Sequence, residues 1–186
     1  MNFAEHSNLK GLHAMFSPSQ ASWLRYDDEK LIEVYTNKQA AKKGTELHEY
    51  AAMAIKHGRK QPRTKETVNS YVNDAIGFKM KPEVVLFYSE NFFGTADAIS
   101  FRNNKLRIHD LKTGKTPASM DQLLVYAALF CLEYRMKPGE IEMELRIYQN
   151  DEVFVEFPTA EDILPIMDHI IHLDNIVQKL KEEDES

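Results

Sequence analysis

The amino-acid sequence predicts an α+β fold: one mixed central sheet flanked by helices, in the α/β/α manner. Three observations predict it. Apolar residues recur at helical spacing in the first part of the chain, as in Val68, Val72, Ala75 and Ile76. Strand-like runs rich in β-branched and aromatic residues follow, two of them separated by the turn signal Asn103-Asn104. The segments then run in the order helices, three-strand meander, helix, two strands, helix, which fits a single layered domain. At 186 residues the chain can bury a real core, and it is read as one domain over 1–186.

Taken in order, Ser17-Pro18-Ser19-Gln20 opens a short helix to about Arg25, with serine as the cap and proline at the first helical position. A long helix is expected from about Thr36 to Gly58, with Gly44 inside it. Thr64 is the expected cap of the next helix. Strands are expected at Glu83–Ser89, Phe92–Phe101 and Lys105–Leu111. Pro117–Tyr134 reads as an apolar helix, ended by Lys137-Pro138-Gly139. Glu140–Gln149 alternates as a half-buried strand and pairs with Val153–Phe157 across Asn150-Asp151. A helix from Ala160 to about Lys181 closes the chain, with Thr159 as cap, Asp162 in the capping-box position and Pro165 near its start; 182–186 is expected to fray.

Composition narrows the function. No apolar run approaches the ~18–20 residues of a membrane span, and the N-terminus lacks the pattern of a secretory signal, so a soluble, cytoplasmic chain without a membrane partner is expected. The single cysteine, Cys131, excludes a disulfide framework, and on its apolar helix it is expected to be a buried small hydrophobe. The net charge is −6, but it is unevenly distributed. Residues 38–65 carry eight basic side chains against Glu46 and Glu49, and residues 102–115 carry five against Asp110. An acidic chain can still present a basic face to phosphates.

Chemistry concentrates between Phe92 and Ala127. In a strand, residues two apart share a face, so Asp110 and Lys112 point one way while His109 and Leu111 point the other. A carboxylate beside an ammonium at a strand end can bind a hard cation and position a nucleophile; the plainer alternative is a surface ion pair. Asp97 lies among aromatics and alanines, where an ionised group needs a partner. A hairpin through Asn103-Asn104 would bring Asp97 close to Asp110, and a divalent cation is the usual compensation for two adjacent carboxylates. The plainer alternative for Asp97 is an aspartate accepting backbone N–H bonds. Gly114-Lys115-Thr116 imitates the end of a phosphate-binding loop, but the position of the first glycine in that motif is His109, so nucleotide-triphosphate binding is not expected.

The pattern Gly94-x-x-Asp97, then Asp110-Leu111-Lys112-Thr113-Gly114, then Gln122-x-x-x-Tyr126 resembles the PD-(D/E)xK nuclease superfamily, in particular its RecB-like exonuclease branch, which includes CRISPR-associated and phage recombination nucleases. Phe16-Ser17-Pro18-Ser19-Gln20-x-x-Trp23-Leu24 and Gly44-Thr45-x-x-His48 also resemble that branch, so the likeness spans 16–126. The resemblance implies a restriction-endonuclease-like core and a metal-dependent DNA exonuclease of phage or bacterial recombination and repair. It implies Mg²⁺ or Mn²⁺ held by His48, Asp97, Asp110 and the Leu111 carbonyl, with Lys112 as the catalytic lysine and Gln122 and Tyr126 as the motif of the following helix.

Several relatives carry a four-cysteine iron–sulfur cluster, which one cysteine cannot build, so none is expected here. Single-stranded DNA or duplex ends are the expected partner, tracked by Lys42, Lys43, Arg59, Lys60 and Lys115. A homo-oligomer and a recombination partner protein are compatible with the resemblance. Glu83 is a further carboxylate for a second cation. The rival readings are a structure-selective endonuclease and a non-catalytic DNA-binding module that keeps the fold.

Overall fold

The computed structural model describes residues 6–184; the first five residues and the last two of the expected frayed tail lie outside the described residues. The chain divides into two compact units, one ending at Lys42 and the other beginning at Lys43. The smaller unit contains short 3-10 helices at Ser7–Leu9 and Pro18–Arg25 and the beginning of α1 (Asp28–Lys56). Ser17 does not cap as expected: its hydroxyl pairs with that of Ser19, and the turn breaks at Gln20, whose backbone is not helical. Instead Trp23 donates its indole N–H to the Ser17 carbonyl and packs edge-on against Phe16. Helix α1 starts eight residues before the expected Thr36, because Asp27 caps it by accepting the Lys30 N–H at 2.7 Å.

The larger unit holds the rest of α1, then α2 (Thr67–Gly77), β1 (Lys81–Ser89), β2 (Phe92–Arg102), β3 (Lys105–Leu111), α3 (Asp121–Glu133), β4 (Glu142–Gln149), β5 (Glu152–Glu156) and α4 (Ala160–Asp184). The five strands lie in sheet order β1-β2-β3-β4-β5, with β3 and β4 parallel and the other pairs antiparallel. This is an α+β fold with one mixed sheet. Both two-residue hairpins were marked by their turn residues: Asn103-Asn104 and Asn150-Asp151 all have positive φ, between 50° and 60°, the conformation that matches the twist of the flanking strands.

Two cores cover the two faces. On one, Leu86, Leu106, Ile108, Leu145 and Ile147 of the sheet meet Leu123, Ala127 and Phe130 of α3 and Ile163 and Ile170 of α4. On the other, Ala98, Leu111 and Tyr148 meet Ala51, Ala54 and Ile55 of α1 and Tyr71, Val72 and Ala75 of α2. Cys131 belongs to the first core, and burial pushes its thiol up to about 11.

Several boundaries differ from expectation for local reasons. Helix α2 is not capped by Thr64. Asp151, from the β4–β5 turn, accepts both the Thr67 N–H and the Thr67 hydroxyl, at 2.8 and 2.9 Å. Helix α3 begins at Asp121 and not Pro117, because the Ala118 N–H is drawn to the Gln149 side chain. Helix α4 continues to Asp184, past the expected end. Asp162 completes the return half of its capping box by accepting the Thr159 N–H at 2.7 Å, and Pro165 stays inside the helix, where it removes one backbone bond.

Candidate active site

The sheet forks at the middle of β2. Pairing of β2 with β3 ends at Ala98↔His109, while the β1–β2 pairing extends as far as Phe92. Strand β3 continues along β4, and the Lys112 N–H donates to the Tyr148 carbonyl at 2.9 Å. One residue beyond that last pair lie Asp97 on β2 and Asp110 on β3. Glu83 on β1 falls opposite Asp97, between the pairs Pro82↔Ala98 and Val84↔Ala96, with φ of +51°, a left-handed backbone at an interruption of the β1–β2 pairing. Three carboxylates therefore form a row across the fork.

Each carboxylate has a different setting. Asp97 accepts the Leu111 N–H on Oδ2 at 2.9 Å and lies 3.4 Å from His48 Nδ1 on α1. The structural role weighed for Asp97 and the approach of His48 thus coexist. Asp110 is buried, and burial, then the nearby Asp97, raises its pKa against the opposing pull of Lys112. Its Oδ2 lies 3.0 Å from Lys112 Nζ, yet the hydrogen bond goes to Oδ1 and Oδ2 is left without one. Glu83 is exposed; its pKa is also raised, by desolvation and then by Asp97. His48 is held above its ordinary value chiefly by its hydrogen bond to Asp97.

Lys112 is positioned from two sides. Nζ donates to Asp110 and, at 2.7 Å, to Oε1 of Gln122. Gln122 Nε2 donates to the Tyr126 hydroxyl at 3.3 Å, and that hydroxyl donates to the Thr95 carbonyl at 2.7 Å. A continuous chain thus runs from β3 over the first turns of α3 to β2. Gln122 is exposed, and Lys112 is its polar partner. Tyr126 requires Gly94, because a Cβ there would lie 2.8 Å from the Tyr126 ring. Gly44 has a comparable reason: a Cβ would lie 2.7 Å from the Thr113 hydroxyl, so glycine lets α1 approach the loop after β3. The Leu111 side chain is buried in the α1–α2 core.

Gln149 was not anticipated as a site residue. It is buried, donates to the Gly114 and Thr116 carbonyls at 2.6 and 2.8 Å, and accepts the Ala118 N–H at 3.1 Å. One side chain thereby fixes the loop from Lys112 to α3. The signal available in sequence was a polar residue ending an alternating strand, which is too common to single out.

The basic residues are distributed differently from the sequence blocks. Lys43, Arg59, Lys60 and Lys115 are exposed in the larger unit, and Lys42 is exposed at the end of the smaller one. Within 102–115, Lys105 and Arg107 pair with Glu142 and Glu144 and Lys112 pairs with Asp110, so much of that block's charge is neutralised within the fold.

Among the described residues, no three His, Cys, Asp or Glu side chains converge as a ready-made metal cage. The donor chemistry nevertheless fits a hard divalent cation: carboxylates of Asp97 and Asp110, the His48 imidazole, and a buried carboxylate oxygen without a hydrogen bond. No helix is long and apolar enough to cross a membrane among the described residues. Compared with known proteins, the chain matches no family model, no curated protein and no solved structure.

Proposed function

We propose that the chain is a divalent-metal-dependent deoxyribonuclease of the PD-(D/E)xK kind, acting as an exonuclease in phage or bacterial recombination and repair. The observation that carries this reading is the fork, where Asp97 and Asp110 lie just beyond the last β2–β3 pair and Lys112 is held beside Asp110 by Gln122. A surface ion pair needs neither a buried acid lacking one hydrogen bond nor a four-residue chain fixing the lysine. An iron–sulfur cluster has no place in the proposal.

Asp97, Asp110, His48 and the Leu111 carbonyl are the groups that would hold Mg²⁺ or Mn²⁺, with Glu83 as an outer carboxylate. Such a cation, when bound, polarises the scissile phosphate and lowers the pKa of an attacking water. Lys112, a positioned donor, offsets negative charge developing on the phosphate. Gln122 and Tyr126 keep the ammonium aimed at the fork, and Gln149 keeps the following loop from drifting. Lys42, Lys43, Arg59, Lys60 and Lys115 offer exposed charge to the DNA backbone, so binding should weaken with salt.

The test is digestion of end-labelled linear single- and double-stranded DNA, with a circular substrate to separate end-dependent from internal cleavage. Cleavage is expected with Mg²⁺, at least as strong with Mn²⁺ because an imidazole is among the donors, and absent in EDTA. Lys112→Ala should reduce the rate by a factor on the order of 10²–10³, the scale of losing one transition-state donor. Undiminished cleavage in EDTA, or by Lys112→Ala, rejects the mechanism.

A further inference from the structure

On the α3 face of the sheet, away from the carboxylate row, the chain forms a cavity of about 560 Å³. Leu86 and Ile99 form its apolar floor, and Phe101, Phe130 and Tyr134 form an aromatic wall. The rings are in contact: Phe101 and Phe130 have centroids 5.3 Å apart, and Phe130 and Tyr134 are 4.9 Å apart. The two outer rings stay accessible, Phe101 at 39% and Tyr134 at 51% exposure.

The rim is cationic. Lys79 and Lys81 lead into β1, and Arg102 ends β2. All three are exposed, and among the described residues their side chains have no acidic partner or hydrogen bond, unlike Lys105, Arg107 and Lys112. Glu133, the acid next to Tyr134, accepts the Phe87 N–H. Three unpaired cations around accessible aromatic rings, in a chain of net charge −6, are an arrangement in need of an anion.

We infer that this groove binds a segment of single-stranded DNA, with bases stacked on Tyr134 and Phe101 and phosphates on Lys79, Lys81 and Arg102. Charge complementarity favours a polyanion over an apolar ligand. Accessible rings favour unpaired bases, because stacking on side chains needs a free base face and tolerates any sequence. Position favours a strand continuous with the carboxylate site. Strands β1 and β2 carry both places: Lys81 lies two residues from Glu83, and Arg102 lies five residues from Asp97, about 17 Å along an extended strand. The inference rests on the nuclease reading for its choice of DNA, and its test does not require cleavage.

The experiment is fluorescence anisotropy of the full chain with a labelled oligothymidine of about ten nucleotides, within the range of single-strand site sizes, in EDTA across a salt series. A blunt duplex and thymidine monophosphate serve as separate probes. Circular dichroism checks that each variant folds. The triple variant Lys79→Ala, Lys81→Ala, Arg102→Ala should lower affinity on the order of tenfold and reduce the log–log salt slope by about 2, from about 0.7 per lost contact. Tyr134→Ala should weaken single-strand binding about fivefold or more, with Tyr134→Phe restoring it.

Parent-like affinity and slope in the triple variant and in Tyr134→Ala overturn the inference. So does equal loss of duplex and single-strand binding in Tyr134→Ala, and so does a parent that does not bind the oligothymidine. Saturable binding of the monophosphate with no gain for the oligonucleotide makes a free nucleotide the occupant and also overturns it. If the groove variants behave as expected while Lys112→Ala cleaves like the parent, the groove stands and the nuclease mechanism falls.

Discussion

Asp110 lies with Asp97 just beyond the last β2–β3 pair, is buried, and leaves Oδ2 without a hydrogen bond. A neutral amide of the same shape removes the like-charge neighbour and one desolvated charge, at the cost of the attraction to Lys112. We expect Asp110→Asn to raise the Tm of the cation-free protein by a few degrees, since ~1 kcal/mol corresponds to roughly 2–4 °C at this size, and to abolish cleavage. Scanning fluorimetry in EDTA beside a cleavage assay checks both; a lowered Tm would show that the Lys112 pair dominates. Gly94 makes a second residue-scale test. Gly94→Ala places a Cβ 2.8 Å from the Tyr126 ring, so the ring must leave the Thr95 carbonyl and the chain to Gln122 and Lys112 loosens. A cost of about 1–3 kcal/mol and slower cleavage are expected, and parent-like values for both would remove Tyr126 from the lysine's support.

Elements show where sequence was legible and where it was not. The hairpin residues Asn103-Asn104 set the β2–β3 register, whose last pair, Ala98↔His109, lies next to Asp97 and Asp110. The fork could not be read, because it depends on β3 leaving β2 for β4, a pairing between distant segments. Helix starts were missed where a distant side chain supplies the cap or the break, as Asp151 does for α2 and Gln149 does ahead of α3. Another long-range anchor ties α4 to the β1–β2 turn. Asp174 accepts the Asn91 amide and the Ser89 hydroxyl, each at 2.7 Å, and these bonds hold its carboxyl below the usual value of 3.8. A carboxyl depressed in the fold stabilises it above the unfolded value, and that contribution is lost as pH falls through the folded value. Asp174→Asn should therefore be less stable than the parent at neutral pH, with the gap closing as pH falls below about 4. A gap that stays constant below that pH, in thermal melts, would show that the anchor does not depend on charge.

At the scale of the whole molecule, the chain forms two compact units, the second beginning at Lys43. The reason lies in burial. Among the described residues, every buried one lies at or after Gly44, including both apolar cores. Before it, the apolar residues Leu24, Leu31, Ile32 and Tyr35 are all exposed. Apolar area that stays in water contributes little to stability, so the free energy of folding should reside almost wholly in the larger unit. The carboxylate row, Lys112, Gln122, Tyr126 and Gln149 all belong to that unit as well. A chain beginning at Lys43 is therefore expected to unfold cooperatively with a Tm within about 3 °C of the parent, a shift worth roughly 1 kcal/mol. It should also keep the response of the parent to Mn²⁺ in the same melts, because every proposed ligand is retained. Loss of a cooperative transition in the shortened chain would mean that residues before Lys43 contribute folding energy that their exposure does not reveal.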